Sequence, residues 1–108
     1  MQLRMDKPWL ELTPDVVAKL PGQLGVYQLA DVAGQVRYIG YAGGKSQFGL
    51  RSEVGKHVGR DGLCQFRYEV NQQYLTRWQE LLMLHAADHG DVPELNINDR
   101  PAKLGRLG

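Results

Sequence analysis

Two short runs of β-branched and aromatic residues, Gly25-Val26-Tyr27 and Tyr38-Ile39-Gly40, stand on either side of Asp31-Val32-Ala33-Gly34. Asp bonds its own backbone in turns and Gly accepts positive φ, so the pattern predicts a β-hairpin with a tyrosine on each arm. With Tyr27 set opposite Tyr38, Leu29 meets Val36 and Gly25 meets Gly40. Tyr27, Leu29, Val36 and Tyr38 then share one face, while Gln28 and Arg37 share the other. A slip of one residue would mix the two sets. Both phenols are therefore expected on one face, at an end where two glycines leave the backbone bare to a ligand. Two tyrosines packing a half-buried sheet would account for the same pattern.

Other elements follow from periodicity. Thr13-Pro14 predicts a helix start, a capping hydroxyl followed by a residue that needs no donor. Val16, Val17 and Leu20 give that helix an apolar side, and Pro21-Gly22 ends it. Tyr41 to Gly49 is glycine-rich and reads as a loop. The spacing of Leu50, Val54 and Val58 predicts a helix over roughly 48–57, with Gly55 costing about 1 kcal/mol relative to Ala. Cys64 to Val70 alternates with period two, as a third strand would. From Tyr74 to His89 the period is helical, with Leu75, Trp78, Leu82 and Ala86 on the apolar arc, Leu81 at its margin and Gly90 as terminator. Residues 1–12 read as an irregular lead-in, Pro93 to Asn96 as a returning segment and 99–108 as a basic tail. This order predicts one small α/β sandwich with a largely antiparallel sheet.

Composition narrows the field of functions. A chain of 108 residues supports one core, and 43% hydrophobic with 23% charged residues is ordinary for a globular domain. Cys64 is the single cysteine, so no internal disulfide is possible, and without a signal peptide a reducing cytoplasm is expected. The longest apolar run, Leu81 to Leu84, is too short to span a bilayer, so no membrane partner is expected. A net charge of +1 means that a nucleic-acid partner would need a local basic patch. The segment carrying Lys45, Arg51, Lys56 and Arg60 against only Glu53 and Asp61 is the most basic in the chain, and suits phosphodiester oxygens.

Three constellations carry candidate chemistry. Gly40 to Ser46 resembles a phosphate-cradling loop between strand and helix, but the first glycine of that pattern would fall on Ile39, leaving the loop one residue short. His85 and His89 share a helix face as zinc ligands can, yet the intervening glutamate of a metalloprotease is absent. Helix-surface histidines explain them better. The third set joins Tyr27 and Tyr38 to Arg51, Lys56 and His57, and then to Glu80 and Asn96. A guanidinium suits phosphate oxygens, and a lone carboxylate holds Mg²⁺ when waters and substrate complete the octahedron.

In order and spacing, that third set resembles the GIY-YIG nuclease superfamily. Gly25-Val26-Tyr27 and Tyr38-Ile39-Gly40, with tyrosines eleven positions apart, resemble its paired motif. Phe48-Gly49-Leu50-Arg51, then His57, resemble its arginine helix and histidine. Glu80 in Trp78-Gln79-Glu80-Leu81-Leu82 resembles its metal-binding glutamate, and Pro93-Glu94-Leu95-Asn96 its closing Pro-x-x-Asn. The match spans about residues 21–98. Many family members place a lysine directly after the second motif, where Tyr41 stands here, and the loop from Tyr41 to Gly49 is longer than usual.

The resemblance implies three antiparallel strands flanked by helices and one-metal hydrolysis of a DNA phosphodiester, with Mg²⁺ or another divalent cation. Tyr27, Tyr38, Arg51, His57 and Glu80 would be catalytic, with Glu80 on the metal; Lys45, Lys56 and Arg60 would bind nucleic acid; Gly25, Gly40 and Asn96 would be structural. A phenol titrates near pH 10, so Tyr27 would act as a base only beside cations. An endonuclease, alone or as a module of a larger assembly, and a non-cleaving module binding nucleic acid or protein both fit at this stage.

Overall fold

A computed structural model of the chain describes residues 4–99. Apart from Asp99, the expected basic tail lies outside the described residues, as does the start of the lead-in. In chain order the elements are β1 (Leu10–Glu11), α1 (Pro14–Val17), β2 (Gly25–Ala30), β3 (Val36–Ala42), α2 (Leu50–Gly55), β4 (Gln65–Val70), α3 (Tyr74–His89) and α4 (Glu94–Asp99). The strands form one antiparallel sheet in the order β1-β4-β2-β3. The fold is α+β with four strands rather than three. The additional strand comes from the lead-in, where Leu10 and Glu11 pair with Phe66 and Gln65. Two residues are too few for alternation to register. Among the described residues, no helix is long and apolar enough to cross a membrane.

Helices cover both sheet faces. On one, Tyr27, Leu29 and Phe66 pack with Val17, Leu20, Leu50 and Val54 from α1, α2 and the turn between α1 and β2. On the other, Val26 and Ile39 pack with Met5 and with Leu81, Tyr74 and Trp78 of α3. β2, sandwiched between β4 and β3, is buried along its whole length. Thr13 caps α1 by accepting from the Val16 amide at 3.4 Å. Gly49 precedes α2 at φ 55°, and a β-carbon there would overlap the Gln23 backbone, to which the Leu50 amide donates at 2.9 Å.

The hairpin register is shifted two residues from the expected one. Tyr27 lies opposite Gly40, Leu29 opposite Tyr38 and Gly25 opposite Ala42. The turn over Val32-Ala33-Gly34 supplies one residue of the shift: the Asp31 amide donates to Gln35 O at 3.1 Å, while its carboxylate accepts from the amides of Ala33 and Gln35. A bulge between Leu29 and Ala30 supplies the other, and it turns Val36, expected beside Tyr38, to the opposite face with Val26 and Ile39. A shift of two preserves side-chain parity, so Tyr27 and Tyr38 still share a face, with ring centroids 6.2 Å apart. Gly40 is required where it stands, because a β-carbon would overlap the Tyr27 ring lying across it.

The inward arc of α3 is also rotated. Arg77 and Leu81 are its buried residues, whereas Leu75 is 47% exposed. Arg77 enters the interior because Glu69 on β4 receives it at 3.0 Å, a partnership that counting apolar positions along one helix does not register. The segment after Pro93, expected only to return the chain, is helical as α4.

Candidate functional site

A cavity of about 620 Å³ opens at Gly40 on the edge strand β3. Tyr27, Tyr38 and Gly40 form its floor. Successive β3 residues point to opposite faces, so the cleft straddles the strand. On the side of Tyr38 its wall is Glu53 of α2 and Lys56 just past that helix; on the side of Tyr41 it is Tyr74, Leu75 and Trp78 of α3. The loop from Gly43 to Ser46, carrying exposed Lys45, forms the rim.

Beneath the floor lies a hydrogen-bonded row. Tyr27 Oη is 3.2 Å from His57 Nε2, and His57 Nδ1 is 3.1 Å from Arg60 Nη1. A guanidinium only donates, so Nδ1 accepts, which makes Nε2 the protonated nitrogen of a neutral ring. His57 then donates to Tyr27, and the phenol keeps its own proton as a donor. The Tyr38 ring closes the cluster, its centroid 5.1 Å from that of His57.

α2, shorter than the expected 48–57, reaches the cleft through Glu53, with Lys56 following in the turn after it, because Leu50 and Val54 are turned into the core. Glu53 accepts from Ser46 Oγ at 2.7 Å and from Lys56 Nζ at 3.1 Å, tying the rim loop to the helix. Arg51 is about 160° around the helix from Glu53. Its Nε donates to Leu20 O at 3.0 Å and its guanidinium lies 5.9 Å from the Phe48 ring centre, away from the cleft lining. Arg60 stands behind His57 rather than at the rim.

Glu80 is likewise not brought to the cleft. It pairs with Arg77, about 140° around α3 from Leu75. Arg77 is held on its other side by Glu69 at 3.0 Å. Burial alone would push the Glu69 carboxyl up, but hydrogen bonds from Arg77 and Asn71, with the charge of Arg77, hold it below its ordinary value. Burial likewise opposes the charge on Arg77, and its two carboxylate partners more than offset this.

Asn96 grips the outer edge of β3: the Ile39 amide donates to its Oδ1 at 2.8 Å and its Nδ2 donates to Ile39 O at 2.9 Å. Trp78 Nε1 donates to the same carbonyl at 2.9 Å. Gly25 sits where a β-carbon would overlap the Glu69 carbonyl.

The Mg²⁺ expectation rests on Glu80, which the fold does not bring to the cleft. The expected ligand, Glu80, is committed to Arg77, and the carboxylate that does line the cleft, Glu53, is neutralised by Lys56. Among the described residues, no group of three or more His, Cys, Asp or Glu could hold a metal ion. Elsewhere, His85 donates from Nδ1 to Asp91 O at 2.9 Å. The glycine loop makes no phosphate cradle at a helix start: Gly44 donates to Tyr74 Oη at 3.4 Å, and α2 begins only at Leu50.

Sequence reasoning missed Glu53, Tyr74 and Trp78. A signal existed for each, since Glu53 stands three and four positions before Lys56 and His57 in the sequence, and Tyr74 and Trp78 are one turn apart.

Compared with known proteins, residues 1–88 match the model of a family described as Domain of unknown function (DUF7508). No curated protein and no solved structure matches the chain.

Proposed function

The chain belongs to the DUF7508 family, which carries no assigned function, and from the chemistry of the cleft we propose a GIY-YIG-like domain that binds a nucleic-acid phosphodiester. One observation carries this reading: Tyr27 and Tyr38 lie side by side under a cleft rimmed by Lys45 and lined by Lys56. Ammonium groups meet phosphate oxygens as point charges, and phenols add directional donors. The commitment of Arg51 to Leu20 and of Glu80 to Arg77 favours binding without hydrolysis. A cytoplasmic setting belongs to the same proposal, with Cys64 exposed and reduced.

Titrating labelled protein with a DNA oligonucleotide tests the proposal. Amide resonances of Gly40, Gly43, Gly44 and Lys45 are expected to shift together, in a salt-sensitive manner. Shifts confined to other surfaces, or none, would overturn it.

A second reading, DNA endonuclease, is favoured by the row from Arg60 through His57 to Tyr27. A donor on the phenol oxygen stabilises negative charge that develops there, as a water-activating group requires. Plasmid nicking with Mg²⁺ or Mn²⁺, against chelator, separates the two. Cation-dependent nicking lost in Tyr27→Phe would replace the binding reading with the nuclease one.

A further inference from the structure

We propose that Tyr41, Tyr74 and Trp78 form a stacking platform for an unpaired base, so that the cleft takes a single-stranded nucleotide. Its base lies on the α3 wall and its phosphate at Lys45 and Lys56. This rests on the phosphodiester reading of the same cleft and adds the substrate class.

Tyr41 is the residue that the strand pattern does not explain. It shares a sheet face with Ile39, which is fully buried, yet Tyr41 is 37% exposed. It is nevertheless held in place. Its ring stacks on Tyr74 at 5.6 Å and 25°, and Trp78 meets it edge-on at 5.0 Å and 66°. A ring braced on two sides loses little rotamer freedom when a ligand arrives.

The rim is tied to the same rings. Tyr74 Oη accepts from the Gly44 amide at 3.4 Å, and a β-carbon at Gly43 would press to 3.0 Å from the Tyr74 ring. The glycines thus let the loop lie against the aromatic wall, and Lys45 follows directly. The cleft has an aromatic side, extended by exposed Leu75, and a cationic side. A nucleotide has the same two halves, a flat ring with a π-face and an anionic phosphate. A continuous duplex would offer its phosphates to the lysines but keep its base faces inside the stack, leaving the aromatic wall unused.

Trp78 also bonds the Ile39 carbonyl, so the test uses Tyr41. Fluorescence anisotropy would compare an oligothymidine with an abasic strand of equal length, on wild type, Tyr41→Ala and Tyr41→Phe. In wild type the base-bearing strand is expected to bind about tenfold tighter. That ratio should collapse toward one in Tyr41→Ala and persist in Tyr41→Phe, with thermal melts confirming that each variant is folded. Equal affinity of wild type for the two strands overturns the platform while leaving phosphate binding intact. A ratio unchanged in folded Tyr41→Ala does the same. Should Tyr41→Ala not fold, the wild-type ratio alone decides. No binding of either strand at low salt overturns the phosphodiester reading, and the platform with it.

Discussion

The molecule holds two polar clusters built from similar ingredients and put to opposite uses. At one end of α3, Arg77 is 8% exposed and clamped between Glu69 and Glu80. Beside Gly40, Lys56 is 65% exposed, its Glu53 partner 20% exposed, and the pair faces an open cleft over two phenols. The first cluster commits its one cation to two carboxylates, and the buried guanidinium has no reach left for a ligand. The second keeps cationic groups in water, where exchanging one weak partner for a phosphate costs little. Availability, more than residue type, separates a site from a structural ion pair.

The largest expected contrast comes from removing the two cations. Arg77→Met strands Glu69 against the sheet and should lower stability by about 3 kcal/mol. That is the bottom of the usual range, because both carboxylates keep some water. Lys56→Ala should change stability by no more than about 0.5 kcal/mol. Urea unfolding of both variants checks the pair, and equal losses would erase the distinction. Acid sharpens the same contrast. The Glu69 carboxyl is held below its ordinary value of 4.5, so its contribution is fully present above that pH and is lost as pH falls through the lower folded value. Unfolding midpoints measured down to pH 3 should therefore fall less steeply in Arg77→Met than in wild type.

Gly40→Ala probes the floor of the cleft. Its methyl would overlap the Tyr27 ring, so a loss of about 2 kcal/mol is expected, with displaced Tyr27 ring resonances. Unchanged stability and unchanged spectra would mean that the ring does not lie where the register puts it. The smallest effect concerns Glu53. Glu53→Gln keeps an acceptor for Ser46 but releases Lys56 and removes a negative charge from the cleft, so DNA affinity should rise about threefold. Glu80→Gln should leave affinity where it was. If Glu80→Gln weakens binding while Glu53→Gln does not, the roles of the two carboxylates are reversed.

Much of this arrangement is legible in the sequence, for reasons that also explain what is not. The shared face of Tyr27 and Tyr38 reads correctly because parity survives a register shift of two residues, whereas Val36 falls on the other face because alternation does not register the bulge beside Leu29. Leu50 and Val54 likewise mark the inward side of α2, and that same spacing turns Arg51 away from the cleft. Motif order identified Arg51 and Glu80 as residue types but did not carry their direction around the helix. β1 was hidden because a strand of two residues has no period. The burial of Arg77 depends on Glu69, eight positions away on another element, so no window confined to α3 reveals it. Tyr41 reads only as a departure at the position where the resembling family carries lysine, and its stacking on Tyr74 emerges once the sheet and α3 are assembled.

The most direct test is the salt dependence of oligonucleotide affinity for wild type and for Lys45→Ala/Lys56→Ala. Every phosphate of a single strand that a lysine no longer neutralises should reduce the slope of log K against log salt by about 0.7, so the double variant should fall by about 1.4. A double variant that binds as tightly as wild type, with the same slope, would contradict the assignment of this cleft to a phosphodiester.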